Sequence, residues 1–146
     1  MKPIAKFVVS QVAILIRDNK CLILEYAQSP GKWGLPGGKI DEDDLRDPKD
    51  MAGGAFRREI EEEIGFTKFE NVGVVDYKLV IGLVSGMPTC IIASFIINSE
   101  DEIKLSPEHL KYKWIGLNEL DNQPFFHNEV KEIIKKGFAF KQLYVR

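Results

Sequence analysis

The chain has few cysteines, no long apolar run and almost no net charge. Its two cysteines, Cys21 and Cys90, each lie in an apolar stretch and fit no metal-binding spacing. We therefore expect reduced thiols in a reducing cell interior. The longest apolar runs are much too short to span a membrane, and the N-terminus lacks the core of a signal peptide. These absences predict a cytoplasmic protein without a membrane partner.

The overall composition narrows the possible partners further. A net charge of −2 argues against general binding to nucleic-acid polymers. The chain has 146 residues, of which 45% are hydrophobic and 29% charged, as expected for a globular protein that buries its own core. We therefore expect a single domain over residues 1–146.

Hydrophobic periodicity predicts an α+β fold, because strands, a helix, further strands and a second helix follow one another. A turn is expected from Gly82 to Pro88, where glycine and proline interrupt the strand pattern. An amphipathic C-terminal helix is predicted from His127 to Gly137, since apolar residues recur there at helical spacing. The predicted strands cover residues 7–16, 21–26, 72–81, 89–97 and 110–117.

The most informative segment is a glutamate-rich one, residues 58–66. At about 100° per residue, Glu59, Glu62 and Glu63 fall on one side of the predicted helix, and Glu61 points away. Like charges on one helix face repel each other and usually cost roughly a few tenths of a kcal/mol per pair. A hard divalent cation would reverse that cost, because Mg²⁺ and Mn²⁺ prefer oxygen ligands. The alternative is a solvated, glutamate-rich helix end.

Two short motifs carry a family resemblance. Residues 58–66 contain the pattern R-E-I-x-E-E-x-G-F, which resembles the second half of the Nudix box. Residues 35–39, L-P-G-G-K, resemble the beginning of that box. The box is the signature of Mg²⁺-dependent pyrophosphohydrolases. The resemblance implies an α/β/α sandwich with a mixed β-sheet, a box helix and a C-terminal amphipathic helix.

The resemblance also implies a role for each box residue. Glu59, Glu62 and Glu63 would bind Mg²⁺ or Mn²⁺ together with a backbone carbonyl at Gly38, and Glu59 would double as a base. Arg58 would orient the carboxylates without touching the substrate. The alternatives are an ordinary surface ion pair for the arginine and a plain turn for the glycine.

Between Gly38 and Arg58 the sequence departs from the family pattern, because about six residues are extra. The acidic position of the box falls on Asp44 when it is counted from the glycine and on Asp50 when it is counted from the arginine. Both assignments stay open. Residues 47–50 predict a helix start, since an N-cap aspartate precedes a proline there.

Many family members take a further acidic ligand or base from outside the box. Lys111 stands here where a glutamate is often found, which leaves Glu108 and Glu102 as candidates. The alternative for both is a solvated loop charge. His109 is expected to be a surface histidine, because Mg²⁺ prefers oxygen.

The resemblance implies a small nucleotide as the binding partner. Residues 124–128 are similar to a segment from which MutT-like enzymes present an asparagine to a purine edge, so Asn128 is the candidate here. Phe126 and Tyr26 are candidates for stacking on the base. The alternative is an asparagine near a helix start with buried phenylalanines beside it.

The resulting expectation is a hydrolase that cleaves a nucleoside diphosphate linked to another moiety, such as a nucleoside triphosphate, and releases a monophosphate. Alternatives are a damaged-nucleotide sanitiser of the 8-oxo-dGTP type and hydrolases of ADP-ribose, sugar nucleotides or dinucleoside polyphosphates. Outside enzymes, the alternative is a non-catalytic nucleotide-binding module. Lys111 and the displaced acidic position favour that module, whereas the three glutamates argue against it. The oligomeric state stays open, and a homodimer is compatible because family members are often dimers.

Overall fold

The computed structural model describes residues 1–46, 51–98 and 101–145, the side chains of residues 51–53 excepted. The helices are α1 (Met51–Ile64) and α2 (Glu129–Tyr144), and single 3-10 turns cover Asp43–Arg46 and Leu117–Asn122. The strands are β1 (Val8–Ile14), β2 (Ile16–Arg17), β3 (Lys20–Tyr26), β4 (Trp33–Gly34), β5 (Gly37–Lys39), β6 (Glu70–Val84), β7 (Met87–Ile97) and β8 (His109–Gly116).

Two sheets organise these strands. The first has the order β5-β1-β7-β6 and is mixed, because β1 runs parallel to β7 while the other two pairs are antiparallel. In the second sheet β3 pairs with β8 along its length and with β2 and β4 near its two ends. The predicted strand over residues 7–16 is therefore interrupted, because the chain passes from the first sheet to the second at Leu15.

Two hairpins join antiparallel strands, one between β2 and β3 and the other between β6 and β7. In the turn between β2 and β3 both central residues, Asp18 and Asn19, have positive φ of 50° and 59°, as a two-residue hairpin loop requires. The predicted turn from Gly82 to Pro88 is too long. Strand β6 continues to Val84, and Gly82 marks an irregularity in the ladder instead of its end.

A helix packs against each side of the sheets. Phe56, Ile60 and Ile64 form an apolar stripe on α1 and are buried with side chains of β1 and β3. Val130 and Ile133 of α2 pack with residues of β1 and β7 in a second cluster. The protein is therefore an α/β/α sandwich.

Two glycines play different parts in the two helices: Gly65 follows the end of α1, and Gly137 lies within α2. Gly65 ends α1, because its φ is +79° and its N–H donates to the carbonyl of Glu61 at 2.9 Å. The predicted end of α2 at Gly137 is wrong. A Cβ on Gly137 would lie 2.7 Å from Cγ2 of Ile14, so this glycine lets the helix approach β1 closely and does not stop it. The predicted helix start at residues 47–50 lies outside the described residues.

The two cysteines differ in how deeply they are buried. Cys21 is buried, Cys90 is half-buried, and both are free thiols. Burial raises the pKa of Cys21 to about 12, so this thiol packs as an unreactive apolar group. In the part of the chain that the structure describes, no helix is long and apolar enough to cross a membrane.

Candidate active site

A cavity of about 990 Å³ opens beside the two glycines of β5. Carboxylates from α1 and from the loop before β8 line one part of it, while β1, β6, β7 and α2 contribute apolar side chains. The acidic lining residues are Asp41, Glu59, Glu62, Glu63 and Glu108. The apolar and aromatic ones are Val12, Tyr26, Leu35, Leu83, Val84, Ile91, Pro107, Phe126, Val130 and Ile133.

Glu63 is the most buried of the carboxylates. Its Oε2 atom accepts a hydrogen bond of 2.8 Å from the N–H of Gly37. Burial raises the pKa of Glu63 from its ordinary value of 4.5 to about 8, and the negative charges of Glu59, Glu108 and Glu62 add to this, while the Gly37 hydrogen bond opposes it. Without a cation, Glu63 is therefore mostly protonated at neutral pH.

This shift predicts how stability depends on pH when chelator is present. Between about pH 4.5 and 8 the folded state holds the Glu63 proton and the unfolded state releases it, so stability falls as the pH rises through this range. We expect the loss to be on the order of 4 kcal/mol. Thermal unfolding in EDTA from pH 5 to 9 measures this slope.

The matched variants for this prediction are Glu63→Gln and Glu61→Gln. The first is expected to flatten the slope and to raise the melting temperature at pH 8, because it cannot ionise. The second changes an exposed carboxylate on the other side of α1 and should keep the wild-type slope. Equal slopes in all three proteins would contradict the assignment to Glu63.

Arg58 joins three carboxylates. Its guanidinium forms an ion pair with Asp44, whose side chain is only 1% exposed. The same group donates to Glu59 at 3.1 Å, and its Nε lies 3.6 Å from a carboxylate oxygen of Glu62. Since Arg58 itself does not line the cavity, these contacts agree with the predicted orienting role. They go beyond an ordinary surface pair because the Asp44 partner is buried.

The contact between Asp44 and Arg58 bears on the two open assignments for the acidic position. Asp44 is held in place by the N–H of Asp41, which donates to Oδ2 of Asp44 at 2.8 Å. Asp50 lies outside the described residues. Among the described residues, Asp44 is thus the acidic side chain from the segment before α1 that reaches Arg58.

The glycines of β5 do not form a plain turn, because both are paired with β1. A Cβ on Gly38 would overlap the carboxylate of Glu59. A Cβ on Gly37 would overlap the backbone of Gln11, and Gly37 also has a φ of +154°. The backbone of Gly38 therefore lies directly against the carboxylate of Glu59.

The two acidic candidates from outside the box differ in whether they line the cavity. Glu108 lines the cavity and is close enough to raise the pKa of Glu63. Glu102 is exposed and does not line the cavity. Lys111 does not line the cavity, and its Nζ lies 3.9 Å from a carboxylate oxygen of Glu25.

The prediction that His109 lies on the surface is wrong. The residue is 6% exposed, its Nδ1 lies 3.3 Å from Oγ of Ser106, and its Nε2 lies 4.0 Å from Oε2 of Glu63. Burial lowers the pKa of His109, so near pH 7 a neutral imidazole faces a protonated Glu63 and the pair is not a salt bridge. An irregularity between Glu25 and Tyr26 in the β3–β8 pairing places His109 opposite Tyr26, which periodicity could not reveal.

Two of the three predicted substrate residues line the cavity. The ring of Tyr26 lies 5.3 Å from that of Phe126, which is 45% exposed. Asn128 does not reach the cavity, because it occupies the exposed N-cap position of α2. The preceding residue, His127, lines the cavity in its place. Thr89 also lines it and was missed, because a single hydroxyl at the start of an apolar strand gives no distinctive sequence signal.

The donor set can be tested for its fit to a divalent cation. In the described ranges, no three histidine, cysteine or acidic side chains lie close enough together to form a ready-made metal site. Glu63 is held by Gly37, and Glu62 is 60% exposed beside Arg58. The chemistry of the donors nevertheless fits Mg²⁺ or Mn²⁺, because Glu59, Glu62 and Glu63 offer only hard oxygen ligands. Burial and the neighbouring carboxylates raise the pKa of Glu63, and a bound cation would favour its charged form.

Comparisons with known proteins agree with this geometry. The family model described as NUDIX domain matches residues 7–136. A MutT NUDIX hydrolase from Burkholderia pseudomallei is 25% identical with a TM-score of 0.69, over 90% of this chain and 98% of that one.

Two further solved structures share the fold. The ORF135 protein of E. coli is 23% identical with a TM-score of 0.73, over 98% of each chain. An Ap4A hydrolase from C. elegans is 22% identical with a TM-score of 0.68, over 92% of this chain and 98% of that one. Among curated proteins, none matches the chain.

Proposed function

The chain belongs to the NUDIX domain family and is a hydrolase of pyrophosphate bonds; from this premise we propose that its substrate is a nucleoside diphosphate linked to another moiety. A nucleoside triphosphate is one such substrate, and a nucleoside monophosphate is among the products. We further propose that residues 1–146 form one such domain, which the family match over residues 7–136 supports.

The observation that carries this proposal is a single cavity with two chemically different parts. Carboxylates of α1 stand at one part, where phosphates with their cations would lie. Apolar residues of β1, β6, β7 and α2 line the rest of the cavity, and the rings of Tyr26, which lies near Glu63, and Phe126 line it as well; such a lining suits a heteroaromatic base. A volume of about 990 Å³ has room for a nucleotide.

We assign the binding of Mg²⁺ or Mn²⁺ to Glu59, Glu62, Glu63 and the carbonyl of Gly38. A bound divalent cation would lower the pKa of a water and offset negative charge on the phosphoryl oxygens. The protein's own groups would hold this arrangement. Gly37 fixes Glu63 by its N–H, as described above, and Arg58 holds Glu59 and Glu62 while Asp44 holds Arg58.

Two carboxylates are assigned to proton transfer and auxiliary binding. Glu59 would act as the base that accepts a proton from the attacking water, the role that the family resemblance implies for it. Glu108 would be the acidic group from outside the box, since it shares the cavity with Glu63. Lys111 does not line that cavity, so its positive charge is not among the groups of the acidic part.

A substrate panel tests the proposed function. The panel contains the common nucleoside triphosphates, 8-oxo-dGTP, ADP-ribose, a sugar nucleotide and Ap4A, the last because of the structural likeness to an Ap4A hydrolase. With Mg²⁺ or Mn²⁺ we expect at least one member to release a monophosphate, and in EDTA none should. The readout is product chromatography, with Glu62→Gln as the inactive control.

The panel also separates the enzyme from a binding module. If no member is cleaved with either cation, while nucleotides bind tightly in calorimetry, the hydrolase proposal is wrong and the module is favoured. Cleavage that continues unchanged in EDTA would instead contradict the cation assignment.

A further inference from the structure

Among the described residues that line the cavity, Thr89 carries a buried polar group that the fold itself does not use. Thr89 is 2% exposed, and its hydroxyl has no hydrogen-bond partner among the described residues. An unpaired buried hydroxyl costs free energy, so it usually has a partner. Because Thr89 lines the cavity, a bound ligand could supply that partner.

Apolar residues line the cavity together with the hydroxyl of Thr89. In the first sheet it pairs with Val8 of β1 and Val80 of β6. Ile91, two residues further along the same face of β7, and Ile133 of α2 line the cavity with it. A polar atom among apolar side chains fixes the orientation of a ligand and provides specificity.

Strand register gives the distance between the backbone of Thr89, which carries this hydroxyl, and the backbone of Gly37, which lies at the acidic part of the cavity. Gly37, which holds Glu63, pairs with Val12 of β1, and Thr89 pairs with Val8. Thr89 is therefore two strands across from Gly37 and four residues along the sheet, or roughly 16 Å away by strand geometry. This separation is of the order of the length of an extended nucleotide.

We propose that the hydroxyl of Thr89 hydrogen-bonds the edge of the base and thereby determines which base the enzyme accepts. This inference rests on the proposed function, because it takes the ligand to be a nucleotide with its phosphates at the glutamates. A hydroxyl can donate and accept, so it pairs with a base edge that offers a matching polar atom. A base without that atom leaves the hydroxyl unpaired and binds less well.

The first test compares Thr89→Val with Thr89→Ser. Valine keeps the shape and removes the hydroxyl, while serine keeps the hydroxyl. For the preferred nucleotide we expect Thr89→Val to lower kcat/KM about tenfold, mostly through KM, as for the loss of one hydrogen bond. Its preference among ATP, GTP, CTP and UTP should shrink by a similar factor. Thr89→Ser should stay within about threefold of wild type.

A second readout distinguishes a role in specificity from a structural role. Without ligand, Thr89→Val should unfold at the wild-type temperature or about 2–4 °C higher, because it removes an unpaired polar group from the interior. A hydroxyl needed by the fold would give the opposite pattern, with a lower melting temperature and an unchanged preference among bases.

The outcomes separate this inference from the proposed function. If wild type hydrolyses nucleotides but Thr89→Val keeps the same base preference, the inference is overturned and the function stands. If wild type hydrolyses none of them, the proposed function fails. Calorimetry with AMP, GMP, CMP and UMP then decides the inference alone, which requires Thr89→Val to weaken one of them selectively.

Discussion

Glu62→Gln is expected to lower kcat at least about a hundredfold, the usual scale for the loss of a key electrostatic group in an active site. Glutamine keeps the size of the side chain and removes the negative charge that would bind the cation. Because Glu62 is 60% exposed and its contact with Arg58 is a long one of 3.6 Å, the melting temperature should hardly change. Single-turnover and steady-state assays with Mg²⁺ measure the effect.

The control for Glu62→Gln is Glu61→Gln. Glu61 is the neighbouring residue on α1, is also exposed, and does not line the cavity. It carries the same charge in the same helix, so any general effect of lost charge should appear in both variants. A loss of activity in Glu62→Gln no larger than in Glu61→Gln would remove the basis for the metal assignment.

Gly37→Ala is expected to destabilise the protein by about 3 kcal/mol or more. The φ of Gly37, +154°, strains any residue with a Cβ, and that Cβ would overlap the carbonyl of Gln11. The obstacle is backbone in the adjacent strand, so no side-chain rotation relieves it. Chemical denaturation of wild type and variant gives the change in the free energy of unfolding.

Gly38→Ala provides a matched comparison one residue further along. The three atoms nearest to a Cβ on Gly38 would all belong to the carboxylate of Glu59, which is the end of a flexible side chain and can move. We therefore expect a loss of stability below about 1 kcal/mol and a clear loss of activity from the displaced Glu59. If Gly38→Ala proved the less stable of the two variants, the described packing of β5 would be incorrect.

The face of the box helix could be predicted because it depends on local geometry alone. At 3.6 residues per turn, the sequence positions of Ile60 and Ile64 decide which side of α1 is buried, and the glutamates follow. The family resemblance likewise depends on short motifs, and the NUDIX match confirms it. The ligand roles of Glu59, Glu62 and Glu63 stay predictions that the variants above test.

The features that could not be predicted depend on contacts between residues that are distant in the sequence. Counting residues gave two candidates for the acidic position, and a contact across 14 residues of sequence brings Asp44 to Arg58. His109 was expected at the surface because an irregularity in strand pairing leaves no trace in hydrophobic periodicity. Gly137 was interpreted as a helix end because only the packed structure shows that Ile14 lies against it.

The division of the cavity between separate elements has an evolutionary consequence. Helix α1 and the loop before β8 supply most of the acidic groups, whereas β7 and α2 supply the wall around Thr89. Substitutions in the wall can therefore accumulate without moving any group that would take part in bond cleavage. Descendants of such a protein could acquire new substrates while inheriting the same reaction.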